Sequence, residues 1–384
     1  MNKHLYIGAM SGTSLDGVDA VLTDLAVPQA PRLLGSVHLD FDSTLRQRIL
    51  DLCQGQRVTL SEVGVVDIGV AFAYVEAVHR LLQVSGVEAS AVKAIGAHGQ
   101  TVHHEPQGAV RFTWQLGDPN TLAVQTGIAV VSDFRRRDMA LGGQGAPLAP
   151  GFHELVLRHP DRIRVVLNCG GIANISVLVP GQPCAGYDTG PANMLVDAWI
   201  QTCRALPFDA DGAWAAQGQV DAPLLAAFLA DPYFALSAPK STGREHFNMA
   251  WLENHLAARQ AVSASMQPPS DVDVQATLLE LTARSIADEV HRVMDAQQVR
   301  PQAVGCDLLV CGGGAFNTTL MRRLTALLPR WQVASTASQG IPPESMEALA
   351  FAVFAQRTVA GLPANLPSVT GASRPCVLGA VYLP

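Results

Sequence analysis

The sequence predicts an α/β protein of two similarly built domains, and three observations carry that expectation. Residues 5–22 read as strand, glycine-rich turn, strand, and residues 164–178 repeat the pattern in the second half. Each unit is followed by alternating strand-like and helix-like segments. The chain has 384 residues, 48% of them hydrophobic and 15% charged, enough for more than one core.

The first half reads as three strands, a helical stretch, two strands, a helix and a strand. Apolar runs at 5–7 and 18–22 flank the first turn, and 33–41 alternates as a third strand. Helical spacing follows at 43–53. Ser61 with Glu62 suggests the start of a helical region reaching about residue 84. Residues 91–97 and 111–116 read as strands, Gly117-Asp-Pro-Asn120 as a turn, 121–126 as a helix and 128–132 as a strand. Residues 133–150 are polar and glycine-rich with little apolar periodicity, the pattern of a connector lining a cleft.

The second half resumes with the hairpin at 164–178, a strand ending at Tyr187 and a helix over 192–202. Residues 217–231 are mostly helical and 239–248 irregular. Leu279, Ala283, Ile286, Val290 and Val293 form the apolar stripe of the longest helix, 274–297. A buried strand at 307–311 runs into glycines, then a helix at 318–328, and a last helix spans 344–360. The domain reading is 1–134 with 361–384, and 135–360.

Composition excludes several classes. Net charge is −7 and Lys/Arg runs are short, which argues against nucleic acid as the main partner. No stretch reaches the ~20 apolar residues of a membrane span. The opening Met-Asn-Lys-His leads straight into a strand pattern, unlike a signal peptide. The seven cysteines are scattered without a Cys-x-x-Cys pair, as expected of buried thiols in a reducing cytoplasm.

Three glycine turns are candidates for holding a polyanion. The first comprises Gly12, Thr13, Ser14, Leu15, Asp16, Gly17, Val18 and Asp19, with hydroxyls for phosphate oxygens and carboxylates for a metal-bound water. The second contains Asn168, Gly170 and Gly171. The third, Gly312, Gly313 and Gly314, follows a strand and precedes a helix whose free N–H groups suit an anion. Any one alone is an ordinary turn; three at strand ends favour nucleotide binding. Familiar alternatives fail: Gly12 and Gly17 have P-loop spacing, but Val18 stands where Lys is required. Neither His-Glu-x-x-His nor Gly-x-Ser-x-Gly occurs.

Asp188, in Asp-Thr-Gly-Pro191, reads either as a helix N-cap or as a general base. Arg135, Arg136, Arg137 and Arg244 are either carboxylate or phosphate contacts or a solvated basic face. Glu344 and Glu347 suit the first turn of the last helix.

Together, Met10-Ser-Gly-Thr-Ser-Leu-Asp-Gly-Val-Asp19, His98-Gly-Gln-Thr101, Gly117-Asp-Pro-Asn120, Leu167-Asn-Cys-Gly-Gly-Ile-Ala-Asn174 and Asp188-Thr-Gly-Pro191 resemble the anhydro-N-acetylmuramic acid kinases. So do Lys240-Ser-Thr-Gly-Arg244, Asp273-Val-Gln-Ala-Thr277 and Cys311-Gly-Gly-Gly-Ala-Phe-Asn317. The resemblance covers nearly the whole chain. It implies two facing, duplicated ribonuclease-H-like (actin-like ATPase) domains with a central cleft, in the hexokinase, actin and Hsp70 superfamily. It further implies hydrolytic opening of 1,6-anhydro-N-acetylmuramic acid with phosphorylation of O6 by ATP and Mg2+, in a cytoplasmic homodimer. Carried over, residues 12–19 contact the ATP phosphates, the turn at Asn168, Gly170 and Gly171 faces them, and Gly312 to Gly314 lie near the adenosine. Asp188 is then the base, with Arg135 and Glu347 as substrate contacts.

Overall fold

A computed structural model describes residues 4–12, 14–262, 268–296 and 305–384. Thr13 and the expected helix end at Gln297 lie outside the described residues. The chain divides into two compact units, one running up to Leu157 and taking back Ser345–Pro384, the other Arg158–Glu344.

In the first unit, β1 (Leu5–Ser11), β2 (Gly17–Asp24) and β3 (Arg32–Asp40) form an antiparallel meander. The strand β4 (Val92–Glu105) then lies parallel to β1 on its other side. Beyond it come β6 (Val130–Ser132), parallel to β4, and β12 (Ala380–Tyr382), while β5 (Phe112–Leu116) pairs with the far end of β4. β1 and β2 are buried almost throughout; β3 alternates between exposed and half-buried, as an edge strand does.

The second unit repeats this order. β7 (Arg162–Cys169), β8 (Ile172–Leu178) and β9 (Ala185–Pro191) are an antiparallel meander. β10 (Gly305–Cys311) runs parallel to β7, and β11 (Gln332–Ser335) parallel to β10. The two sheets therefore share one order, β3-β2-β1-β4-β6 and β9-β8-β7-β10-β11, with β5 off this path and β12 extending it in the first unit. That shared order is the duplicated ribonuclease-H-like, actin-like ATPase fold. Sequence alone suggested it through the two hairpins.

Helix ends follow local chemistry. Helix Leu60–Ser85 is capped by Thr59, not by Ser61 as the sequence suggested. Only Thr59 stands three residues before Glu62, so the two exchange hydrogen bonds in a capping box. Asp118 caps helix Pro119–Thr126, taking the N–H groups of Asn120 and Thr121. The connector over 133–150 is more ordered than expected, holding a short helix at Arg136–Ala140 and the start of helix Ala149–Leu157. The buried carboxylate of Asp138 explains this. It accepts bonds from Gly145 N–H, Asn365 Nδ2 and Thr370 Oγ1, tying the loop to the C-terminal segment.

The domain boundaries also differ from the expected 134/135 and 360/361, because helix Met346–Val359 belongs to the first unit. It lies directly on β1 and β4. Gly8 and Gly96 are register partners there, and a Cβ added to either would stand 1.8 Å from the Ala348 carbonyl oxygen or 2.0 Å from that of Phe351. Two adjacent glycines thus open a seat that brings helix backbone onto strand backbone.

In the second unit the expected apolar stripe of helix Asp271–Ala296 is buried as predicted. A second core, with Phe228, Phe234 and Phe247 at its centre, supports residues 232–248. Cys53 is exposed, unlike the buried thiols at 169, 184, 306, 311 and 376. Among the described residues no helix is long and apolar enough to cross a membrane.

The glycine seat predicts that Gly8→Ala destabilises the protein by about 1–3 kcal/mol, read by chemical denaturation. An exposed control such as Gly64→Ala, with open space around it, should not lose stability.

Candidate active-site elements

In the first unit, β1 and β2 pair as far as Met10 opposite Asp19, and the turn closes with Leu15 N–H on the Gly12 carbonyl at 3.3 Å. Leu15 takes a positive φ of 58° and buries its side chain. Asp16 Oδ1 accepts from Ser14 Oγ at 2.7 Å and from the N–H of Gly17 at 3.1 Å. Asp19 Oδ1 lies 2.8 Å from His38 Nδ1. Burial alone would lower the pKa of His38, yet its bond to Asp19 and the charges of Asp19 and Asp16 raise it. The turn is therefore locally anionic, and suited to a cation.

Arg135 and Glu347, far apart in sequence, act on each other here. The charge of Glu347 raises the pKa of Arg135 while burial lowers it to about 10, leaving a cation at neutral pH. His98 joins them, a residue quoted as part of a motif but given no role from sequence. Arg135 Nε donates to His98 Nε2 at 3.0 Å, and Arg135 Nη1 to the Gly145 carbonyl at 2.8 Å. His98 Nδ1 in turn lies 2.8 Å from the Gly99 carbonyl, so the ring is the neutral Nδ1–H tautomer. Burial first, then the charge of Arg135, hold its pKa well below the ordinary range. His98 thus aims the guanidinium without competing with its charge. The neighbouring arginines serve the fold: Arg136 pairs with Asp133 at 2.7 Å and Arg137 donates to the Val377 carbonyl at 2.9 Å. Glu344 is exposed, in the short turn Pro343–Ser345.

In the second unit the two remaining glycine turns meet. A Cβ at Gly312 would come within 2.6 Å of Asn168 Oδ1, and one at Gly314 within 2.2 Å of Cys169 Sγ. Gly312 also has φ of 74°. The carbonyls of Gly170 and Gly171 receive the N–H groups of Asn193 at 3.0 Å and of Ala192 at 2.9 Å. The hairpin turn therefore caps helix Asn193–Arg204. One expectation is corrected: Gly312 to Gly314 do not open the following α-helix. They lead into a separate short turn, Gly313–Phe316, and helix Thr318–Leu327 is capped by the Asn317 side chain. Asn is a strong N-cap, so the helix starts where that side chain can reach it.

The glycines of the three turns divide into two kinds, with Gly313 between them, where a Cβ would meet Asn193 Nδ2 at 3.3 Å. Gly17, Gly312 and Gly314 are required by packing; a Cβ at Gly17 would stand 2.1 Å from the Leu39 carbonyl oxygen. Gly12, Gly170 and Gly171 are not, since a Cβ there would meet nothing nearer than 3.6, 3.7 and 3.7 Å respectively. Their φ values are not in the left-handed region. The protein itself leaves room for side chains at these three positions.

Asp188 is not a helix N-cap. It lies in β9, paired with Asn174, and the helix beyond begins at Asn193. Its Oδ2 accepts from Ser241 Oγ and from Thr242 N–H, both at 3.0 Å; among the described residues Oδ1 receives no hydrogen bond. Partial burial raises its pKa, the two bonds lower it, and the charge of Glu245 raises it further, for a net upward shift. A partly desolvated carboxylate with one oxygen held and the other available is suited to accept a proton.

Three solved structures resemble the chain. The activator of the 2-hydroxyisocaproyl-CoA dehydratase from Clostridium difficile with bound ADPNP is 11% identical, with 91% of this chain and 94% of that one covered and a TM-score of 0.42. A ROK family glucokinase from Streptomyces griseus in complex with glucose and AMPPNP is 14% identical over 91% and 98%, with a TM-score of 0.38. The ROK hexokinase from Thermus thermophilus is 15% identical over 92% and 99%, at 0.37. Scores this low transfer neither fold nor function. The sequence model of anhydro-N-acetylmuramic acid kinase, in contrast, matches residues 4–384. With the motifs in order along both units, the chain belongs to the anhydro-N-acetylmuramic acid kinase family and is a phosphotransferase.

Proposed function

We propose that this enzyme opens the 1,6-anhydro ring of 1,6-anhydro-N-acetylmuramic acid with water and phosphorylates the freed O6 from ATP. The products are N-acetylmuramic acid 6-phosphate and ADP, which places the reaction in peptidoglycan recycling and amino-sugar catabolism. The observation that carries the reading is Asp188: a carboxylate raised in pKa, with Oδ2 held and Oδ1 available. Asp188 takes a proton from water as the water oxygen attacks the anomeric carbon. The bond from that carbon to O6 breaks, and its electron pair stays on O6. O6 then attacks the γ-phosphorus and ADP leaves. Arg135, oriented by His98, pairs with the lactyl carboxylate of the sugar, and Glu347 contacts the sugar nearby.

For ATP, the phosphate contacts are assigned to residues 12–19, with Thr13 outside the described residues, and to the turn of Asn168, Gly170 and Gly171. Gly12, Gly170 and Gly171 support this, because glycines that packing does not need leave backbone open to a close ligand. Gly312 to Gly314, which packing explains in part, are assigned to the adenosine. Mg2+ neutralises phosphate charge in such transfers; in the anionic first turn Asp16 and Asp19 would hold it, since this ion needs few protein carboxylates. Family membership supports a cytoplasmic homodimer.

Incubation with ATP and the anhydro sugar should yield a 6-phosphorylated reducing sugar stoichiometric with ADP; ADP without that sugar would end the proposal. Asp188→Asn should lower kcat about 10²–10⁴-fold, and near-normal turnover would remove Asp188 from the base role. Because the base must be ionised, kcat/KM should fall as the pH drops through a pKa above the ordinary carboxylate range. Gly170→Ala should leave stability within about 0.5 kcal/mol and raise KM for ATP, while Gly314→Ala should destabilise the fold by about 1–3 kcal/mol. Calorimetry and ATP titration separate the two.

A further inference from the structure

The irregular segment around Lys240-Ser-Thr-Gly-Arg244 fails as a P-loop, and its lysine does not reach toward solvent. Lys240 is 7% exposed, and its Nζ lies 2.6 Å from Glu289 Oε1 on helix Asp271–Ala296. The same ammonium sits 4.8 Å from the centre of the Tyr233 ring and 3.4 Å from the Tyr233 carbonyl oxygen. Glu289 is also bonded by Arg292 at 2.5 Å and by Tyr187.

This cluster grips the backbone that holds Asp188. The N–H of Asp188 donates to the Lys240 carbonyl at 3.1 Å, and Tyr233 Oη donates to the Asp188 carbonyl at 2.7 Å. The next two residues, Ser241 and Thr242, bond Asp188 Oδ2. Ser241 is exposed, so without an anchor the strap would exchange those bonds for water. A buried ion pair adds little net stability, but it fixes geometry strictly, since the Lys240 ammonium without Glu289 would be an uncompensated buried charge.

We infer that Lys240 and Glu289 are positioning residues for Asp188: their buried pair clamps the Ser241–Thr242 strap onto Oδ2, leaving Oδ1 as the one proton acceptor. The inference rests on the reading of Asp188 as the base. The groups facing Asp188 are Glu245 and Ser241 from the strap, Tyr233 beneath, and the Lys240–Glu289 pair behind, with Tyr187 on Glu289. Burial pushes both phenols above their usual range, so neither titrates near neutrality. The strap's two bonds stabilise the carboxylate and oppose both its burial and Glu245.

The test uses the Lys240→Met/Glu289→Gln double variant, which leaves no unpaired buried charge, beside Ser241→Ala and Asp188→Asn. In the double variant kcat should fall about 10- to 100-fold, and the acid limb of kcat/KM should move up by about one pH unit. KM for ATP should be unchanged. Ser241→Ala should shift the limb in the same direction by about half as much. A folded double variant, by circular dichroism, with the wild-type pH profile overturns the inference. Should the double variant not fold, Ser241→Ala decides: a shifted limb supports the clamp and an unmoved one overturns it. If Asp188→Asn keeps turnover, the base reading fails; if it is inactive while the other profiles stay wild-type, only the clamp fails.

Discussion

Much of the first unit depends on one close contact, the seat of helix Met346–Val359 on the paired glycines Gly8 and Gly96. Side chains at these positions would hold the helix off the sheet, because the nearest atoms are backbone carbonyl oxygens that cannot rotate away. The contact explains why a helix more than 300 residues from the first hairpin belongs with it. It also sets the site chemistry. Phe351, whose carbonyl faces Gly96, places its ring 4.7 Å from His98, and Glu347 lies one turn earlier on the same helix. His98 orients Arg135, and Glu347 acts on the same guanidinium. The helix seat and the charge cluster are one arrangement.

The second unit uses the same strand order for different chemistry. Its two glycine turns press together through Gly312 and Gly314 against Asn168 and Cys169, and the hairpin turn spends its carbonyls on the helix behind it. At Asp188 the fold supplies a partly buried carboxylate and then offsets the desolvation with two donors from a neighbouring segment. Those donors are anchored by groups that never reach the carboxylate. The placement of this carboxylate depends on the segment that supports it as much as on the strand that carries it.

The glycines of the three turns thus fall under two separable conditions. At Gly17, Gly312 and Gly314 the neighbouring chain comes too close for a Cβ, and a motif keeps them for folding. At Gly12, Gly170 and Gly171 the protein has room, so packing does not account for glycine there. One string of glycines in the sequence carries both meanings, and only the distances separate them.

The sequence by itself determined the local elements and the class of chemistry. Strand alternation, the stripe of helix Asp271–Ala296 and the two hairpins follow from periodicity, which depends on near neighbours alone. The motifs were enough to indicate the family. Boundaries and roles that rest on distant partners were not legible. The unit boundary follows from Gly8 and Gly96 meeting Ala348 and Phe351, and the order in 133–150 from Asp138 meeting Asn365 and Thr370. That Asp188 is not an N-cap follows from the strand that holds it, five residues before the helix begins. His98 and Lys240 looked ordinary in sequence because their significance lies in a guanidinium and a carboxylate that only the folded chain brings to them.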